Sequence, residues 1–154
     1  MSYFPAFICR HGHKISSTTN HCSDKYCSKC GAPVIAKCPH CDNVIRGSYD
    51  NRLGICSEYE VPAYCRNCGK PYPWTSTAIE ATMCMLEESE LGFDEQEKLK
   101  AILPDVLSET PKTQLAAIRF KKAISGAGSF VAEGLRQFAI SFGCEVFKKY
   151  LDLP

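Results

Sequence analysis

The chain has 154 residues, 18 Lys/Arg against 17 Asp/Glu for a formal net charge of +1, and an ordinary 45% of hydrophobic residues. That length suits one domain or two small ones, and the near-neutral balance excludes an overall polyelectrolyte field directed at nucleic acid or membrane. Cysteine is out of proportion, with eleven residues, all but Cys84 and Cys144 lying before residue 69.

The opening stretch, MSYFPAFICRHGHK, has no basic start followed by an apolar run of roughly 7–15 residues, so no secretory signal is expected. A reducing cytoplasm follows as the expected compartment, where dense paired cysteines hold metal rather than form disulfides. Composition changes near Trp74. Residues 1–74 carry nine Lys/Arg against five Asp/Glu and are rich in Cys, Pro, Gly and Tyr; residues 75–154 carry nine against twelve and show long helical patterns.

Before Trp74 a short segment is written twice, YCSKCGAP at 26–33 and YCRNCGKP at 64–71. Two thiolates two residues apart can share one tetrahedral metal while the backbone turns sharply beneath it. The residue after the second Cys then needs positive φ, which Gly adopts without steric cost. Gly31 and Gly69 hold that place, and in a third pair, KCPHCDN, Asp42 does, one of the few other residues to visit the region readily.

A knuckle supplies two ligands and a structural zinc needs four, so each copy requires an upstream partner. Cys38 and Cys41 with Cys65 and Cys68 form Cys-x2-Cys…Cys-x2-Cys with 23 residues between the pairs, a strong zinc signature. For the first copy, Cys9 and His13 join Cys27 and Cys30, because Cys-x-x-Gly-His turns much as Cys-x-x-Cys-Gly does. His11 in place of His13, and His21 or Cys22 in place of either upstream ligand, remain open alternatives. So does a cross-braced pairing of Cys9/His13 with Cys38/Cys41 and of Cys27/Cys30 with Cys65/Cys68. His40 reads as an exposed knuckle residue, and Cys56, Cys84 and Cys144 as packed thiols.

These spacings predict a small α+β chain: a zinc ribbon over 1–36, a second over 37–74, and a helical region of about four helices over 75–154. Each ribbon is too small to build a core alone, so its metal supplies much of the folding free energy. Val34, Ile35, Val44, Ile45, Tyr49, Val61 and Tyr64 suit the short hairpin strands. Trp74 is expected to wedge the second ribbon against the following helix. Thr77 with Glu80 predicts a capping box opening a helix to about Glu90. Asp94 with Glu97 opens a second, stopped by Leu103-Pro104. Thr110 with Pro111 opens a third through Ile124, and the last runs from Ser129 to Leu151. On that helix Val131, Leu135, Phe138, Phe142 and Val146 form one apolar stripe, with Ile140 and Phe147 on the other side.

Charge is segregated along these helices. Glu80–Glu97 holds seven carboxylates and no base, whereas 111–124 holds Lys112, Arg119, Lys121 and Lys122 and no acid. The basic stretch reads as a solvated face complementing the acidic one. Between Lys122 and Glu145 only Glu133 and Arg136 are charged, yet the many Gly, Ser and Ala residues make this stretch less apolar than a membrane span.

The order CRHGH, then YCSKCGAPVIAKCPHCDNVIRG, then YCRNCGKPYPW, then TPKTQLAAIRFKK resembles an uncharacterised family of bacterial proteins, a domain of unknown function with N-terminal zinc ribbons and a helical C-terminus. The likeness covers nearly the whole chain, CGKPYPW and TP-x-T-x-x-A being its distinctive pieces. It implies bacterial origin and zinc binding, and its first site begins Cys-x-x-Gly-His, which supports His13. It implies no activity.

Neither a His-Glu-x-x-His motif nor a deaminase signature is present, and no Gly-rich phosphate loop or Gly-x-Ser-x-Gly occurs. The expected cofactor is two structural zinc ions, with no catalysis. The first functional reading is an interaction or adaptor protein of a bacterial multi-component system, contacting a protein partner or another copy through its C-terminal helices. The alternative is nucleic-acid binding through the basic ribbons, where Tyr26, Tyr49, Tyr59, Tyr64 and Tyr72 could stack on bases.

Overall fold

The computed structural model describes residues 2–50 and 58–153; Cys56 lies outside them. It divides into two compact units, Met1–Thr77 and Ala78–Pro154. The fold is a small α+β one, with short antiparallel strands in the N-terminal half and helices after it.

The first unit holds five strands: β1 (Tyr3–Pro5), β2 (Phe7–Cys9), β3 (Lys14–Ser16), β4 (Val34–Ile35) and β5 (Arg46–Tyr49). β1 pairs with β5, while β2 lies between β3 and β4, all antiparallel. The opening segment thus serves both sheets, and Ala6 between its two strands donates its N–H to the Ile45 carbonyl at 2.7 Å. Strand alternation then divides its side chains. Ile8 is buried in one core with Ala6, Cys38, Ile45, Cys65, Tyr72 and Trp74, and the adjacent Cys9 in another with Cys27 and Ala32. Gly47 on β5 permits the close approach: a Cβ there would stand 2.6, 2.8 and 2.9 Å from the carbonyl oxygens of Ser17, Phe4 and Pro5.

Five helices follow among the described residues: α1 (Pro73–Glu87), α2 (Phe93–Leu107), α3 (Thr113–Gly126), α4 (Ser129–Phe142) and α5 (Glu145–Tyr150). α1 begins at Pro73 instead of Thr77. Thr75 and Ser76 both donate their N–H groups to the Tyr72 carbonyl at 3.0 Å, so the first turn closes on Tyr72, and Pro73, with no N–H to lose, opens the helix. α2 continues through Pro104 to Leu107. Leu99, Ile102, Leu103, Val106 and Leu107 form one buried stripe across the proline. Burying the last three, at about 1.5–3 kcal/mol each, outweighs a proline cost of about 3 kcal/mol.

α3 begins at Thr113 instead of Pro111, with Lys112 in the N-cap position and no side-chain cap; Thr110 orders the turn that enters it. Its hydroxyl accepts the Lys112 N–H at 3.1 Å, and the Thr113 hydroxyl accepts the Thr110 N–H at 2.8 Å. α3 packs against α2, α4 and α5, presenting Thr113, Ala116, Ala117 and Phe120 to the interior.

The expected final helix is broken at Gly143-Cys144. The Gly143 N–H still closes α4 on Ala139, but Cys144 donates across to the Val106 carbonyl at 2.9 Å, satisfying one of the orphan acceptors at the end of α2. The break re-phases the remaining turns. Phe147 becomes fully buried against Phe120, centroids 5.3 Å apart and edge-on, while Phe142 is partly exposed. No helix among the described residues is long and apolar enough to cross a membrane.

Candidate metal centres

Four tight turns build the sites. In three of them the N–H of the leading Cys donates to the carbonyl five residues on: Cys27 to Ala32 at 2.9 Å, Cys38 to Asn43 at 2.9 Å, Cys65 to Lys70 at 2.8 Å. The first is one residue shorter, with the Cys9 N–H donating to the His13 carbonyl at 3.0 Å. Inside each turn a second N–H, from Gly31, Asp42, Gly69 or Gly12, returns to the carbonyl of the leading Cys. Those four residues have φ of 70°, 55°, 71° and 89°, the left-handed region expected for the first three. A Cβ at Gly31 or Gly69 would meet nothing within 4 Å, so backbone conformation alone requires glycine there. Tyr26 bridges to Pro33 and Tyr64 to Pro71, as Lys37 does to Val44. The outer letters of the repeated Tyr-Cys-x-x-Cys-Gly-x-Pro are therefore the two residues that close each loop.

The turns bring together Cys9, His13, Cys27 and Cys30 in one cluster and Cys38, Cys41, Cys65 and Cys68 in another, with the ligand atoms of each within 4.8 Å of one another. Pairing is sequential, and the cross-braced sets are not assembled. In both clusters the leading Cys of each turn is buried, while the later ligands (His13, Cys30, Cys41, Cys68) are half-buried or exposed.

The spacing tests what could fit. Bonds of about 2.3 Å from a tetrahedral zinc to sulfur imply S···S edges of about 3.8 Å, and a nitrogen at about 2.0 Å implies N···S edges of about 3.5 Å. Cys38 and Cys68 Sγ lie 3.8 Å apart, Cys41 and Cys65 Sγ 3.7 Å, and Cys9 and Cys30 Sγ 3.7 Å. His13 Nδ1 stands 3.5, 3.3 and 3.7 Å from the sulfurs of Cys9, Cys30 and Cys27. A disulfide would require about 2.05 Å, and these cysteines are free. Each cluster could hold one metal ion.

Electrostatics points the same way. Burial pushes the Cys65 thiol up, but the Cys68 and Asn67 amides and the thiols of Cys38 and Cys41 outweigh it and bring it down to about 6. Cys27 is brought down to about 7 against the same burial, by the amides of Lys29 and Cys30 and the neighbouring thiols. Cys68 moves oppositely: the Lys70 amide favours its thiolate, yet desolvation and the other three thiols push it up to about 11. Thiolates so crowded cannot all ionise without a cation between them.

Remaining metal-capable residues stay apart. His11, His21, Cys22 and His40 belong to neither cluster. Cys22 and Cys144 are partly buried and Cys84 is exposed, so Cys84 is not the packed thiol expected, its place on α1 facing outward. Trp74 was legible as a wedge, but its seat is within the first unit. It stacks on Tyr72 at 4.8 Å, and a Cβ at Gly12 would touch its Cβ at 3.0 Å. The sequence reading missed the structural role of the opening segment, whose Ala6 and Ile8 fill the core beside the Cys38 cluster.

The chain belongs to the family DUF2321, described as an uncharacterized protein conserved in bacteria, which matches residues 2–151. No curated protein and no solved structure matches it.

Proposed function

We propose that this chain is a non-catalytic interaction protein of a bacterial multi-component system, its N-terminal unit held by two structural zinc ions, one in each Cys/His cluster. The observation that carries the reading is the closed donor set. Each cluster presents four protein ligands at the corners of a filled tetrahedron, leaving no position for water or substrate, and thiolate-rich coordination makes the metal a poor Lewis acid. The ions then do the work of a core in a unit whose strands are two to four residues long. A reducing cytoplasm suits ligand thiols of this kind, which disulfide formation would consume.

Binding to nucleic acid is the second reading, with one observation in its favour. The Arg46 guanidinium lies 3.2 Å over the half-exposed Tyr3 ring, and both line a cavity of about 390 Å³ with Arg66, Asn43 and Asn67. Charge weakens it. Residues 1–77 hold nine Lys/Arg against five Asp/Glu, but a zinc filled by three thiolates and an imidazole carries about −1 and one filled by four thiolates about −2, which cancels most of that excess.

Native and acid-denaturing mass spectrometry of the purified chain tests both readings. Two zinc ions per chain with a stoichiometric protein companion is the expected result. Fewer than two zinc ions with all thiols reduced would overturn the structural-zinc reading, and a companion nucleic acid in place of protein would overturn the adaptor reading.

A further inference from the structure

We propose that the groove between α2 and α3 docks an acidic peptide segment of a partner, one that also presents an apolar side chain; this rests on the adaptor reading and names the partner's chemistry. Glu95, Lys98 and Leu99 of α2 and Arg119, Lys122 and Ala123 of α3 line a cavity of about 260 Å³. Three of the six are cations and one is an acid. On the same face of α3, one turn earlier, Leu115 and Ile118 are 45% and 61% exposed, at i−4 from Arg119 and Lys122.

The basic stretch of α3 was expected to complement the acidic helices of its own chain, and the ion pairs run elsewhere. Lys100 takes Glu87 at 2.7 Å and Glu97 at 3.4 Å, and the other pairs go to Arg136 and Lys148. Among the described residues none reaches Lys98, Arg119 or Lys122. These cations are held together, unpaired, beside exposed aliphatic surface.

Three features select a peptide over other anions. A volume of 260 Å³ falls below the roughly 300–1,000 Å³ of small-molecule pockets and suits one or two side chains. Leu115 and Ile118 offer area that a phosphate backbone does not use. Residues 78–154 hold twelve Asp/Glu against nine Lys/Arg, so the positive potential is local and the rest of the unit repels a long polyanion.

The test is fluorescence anisotropy with the zinc-loaded full chain and three labelled probes: a helical Glu/Leu peptide, a Glu/Ser peptide of equal charge, and oligothymidylate. Tightest binding is expected for the Glu/Leu peptide, weakening on the order of tenfold in Arg119→Glu and Lys122→Glu as paired charges become repulsive. Ile118→Ser should weaken the Glu/Leu peptide and leave the Glu/Ser peptide unchanged. All three positions are exposed, and unchanged zinc content and circular dichroism confirm intact variants.

Equal binding to wild type and charge-reversed variants would overturn the proposal, as would tighter binding of oligothymidylate. A wild-type dimer dissociated by Arg119→Glu would overturn it too, assigning the groove to the acidic α1–α2 turn of another copy. Failure of the adaptor reading is separable: a chain that binds the peptide but carries no protein companion keeps the groove and loses the adaptor.

Discussion

Trp74 donates its indole N–H to the Pro62 carbonyl at 2.9 Å, tying the first turn of α1 to the segment that enters the Cys65 turn. The neighbouring Thr75 hydroxyl repeats the tie one residue on, donating to the Ala63 carbonyl at 2.8 Å. Trp74 is 5% exposed and shares its core with Cys38 and Cys65. Trp74→Phe removes the donor and should destabilise the zinc-loaded chain by about 1–2 kcal/mol; Trp74→Ala also opens a cavity and should cost about 3–5 kcal/mol. Denaturant unfolding followed by far-ultraviolet circular dichroism, with zinc release to a coloured chelator alongside, checks both. Release from Trp74→Ala no faster than from wild type would separate the indole from the cluster it adjoins.

Metal content should respond to single ligands in whole steps. Cys65→Ser removes a buried ligand, and the second cluster should lose its ion, leaving one zinc per chain and little near-ultraviolet signal from Trp74. Helicity from residues 78–154 should largely persist, because that unit has its own core of Leu103, Val106, Phe120, Leu135 and Phe147, each fully buried. The exposed Cys84→Ser serves as control and should retain two. An equal loss of helicity in Cys65→Ser would show the two units to be one cooperative whole.

The clusters were legible because their geometry is local. Cys-x-x-Cys-Gly and Cys-x-x-Gly-His each fix one turn within five residues, so the turns and the positive φ at Gly31, Gly69 and Asp42 could be read from spacing, while His11, His21 and Cys22 stayed open as alternatives until the fold set them apart from both clusters. The pairing of Tyr3 with Tyr49 and of Ile8 with Ile35 joins distant residues, and no local pattern announces it. Helix ends failed for a related reason. Pro104 reads as a stop until Leu103, Val106 and Leu107 are seen to be buried, and the α4–α5 break depends on a Cys144 hydrogen bond to Val106, distant in sequence. Tertiary demand overrode local signals at each of these points.

Gly47 should tolerate no side chain. Its φ lies outside the left-handed region, so the constraint is space: three backbone carbonyls, from Phe4, Pro5 and Ser17, close over the position at 2.6–2.9 Å. Gly47→Ala forces β1 away from β5 and should cost about 1–3 kcal/mol. Gly92→Ala, where a Cβ meets nothing within 4 Å, is the matched control. Comparable midpoints for the two variants in thermal unfolding would mean that the β1–β5 contact contributes little.

Alkaline pH should destabilise the first unit through Tyr59. Its hydroxyl donates to the Arg46 carbonyl at 2.7 Å, and burial pushes its ionisation up to about 12 from an ordinary 10.0. Tyr72 is raised in the same direction, first by burial and then by the Cys65 thiol. Between pH 10 and 12 the unfolded chain gives up a proton that the folded chain keeps, so stability falls with rising pH across that window and the contribution is fully present only below it. Tyr59→Phe loses the hydrogen bond, about 1 kcal/mol at neutral pH, but should fall less steeply from pH 10 upward, the remaining slope belonging to Tyr72. Urea midpoints measured across that range, beside phenolate absorbance, decide the matter: a slope unchanged by Tyr59→Phe would mean that this phenol is not held neutral by its burial.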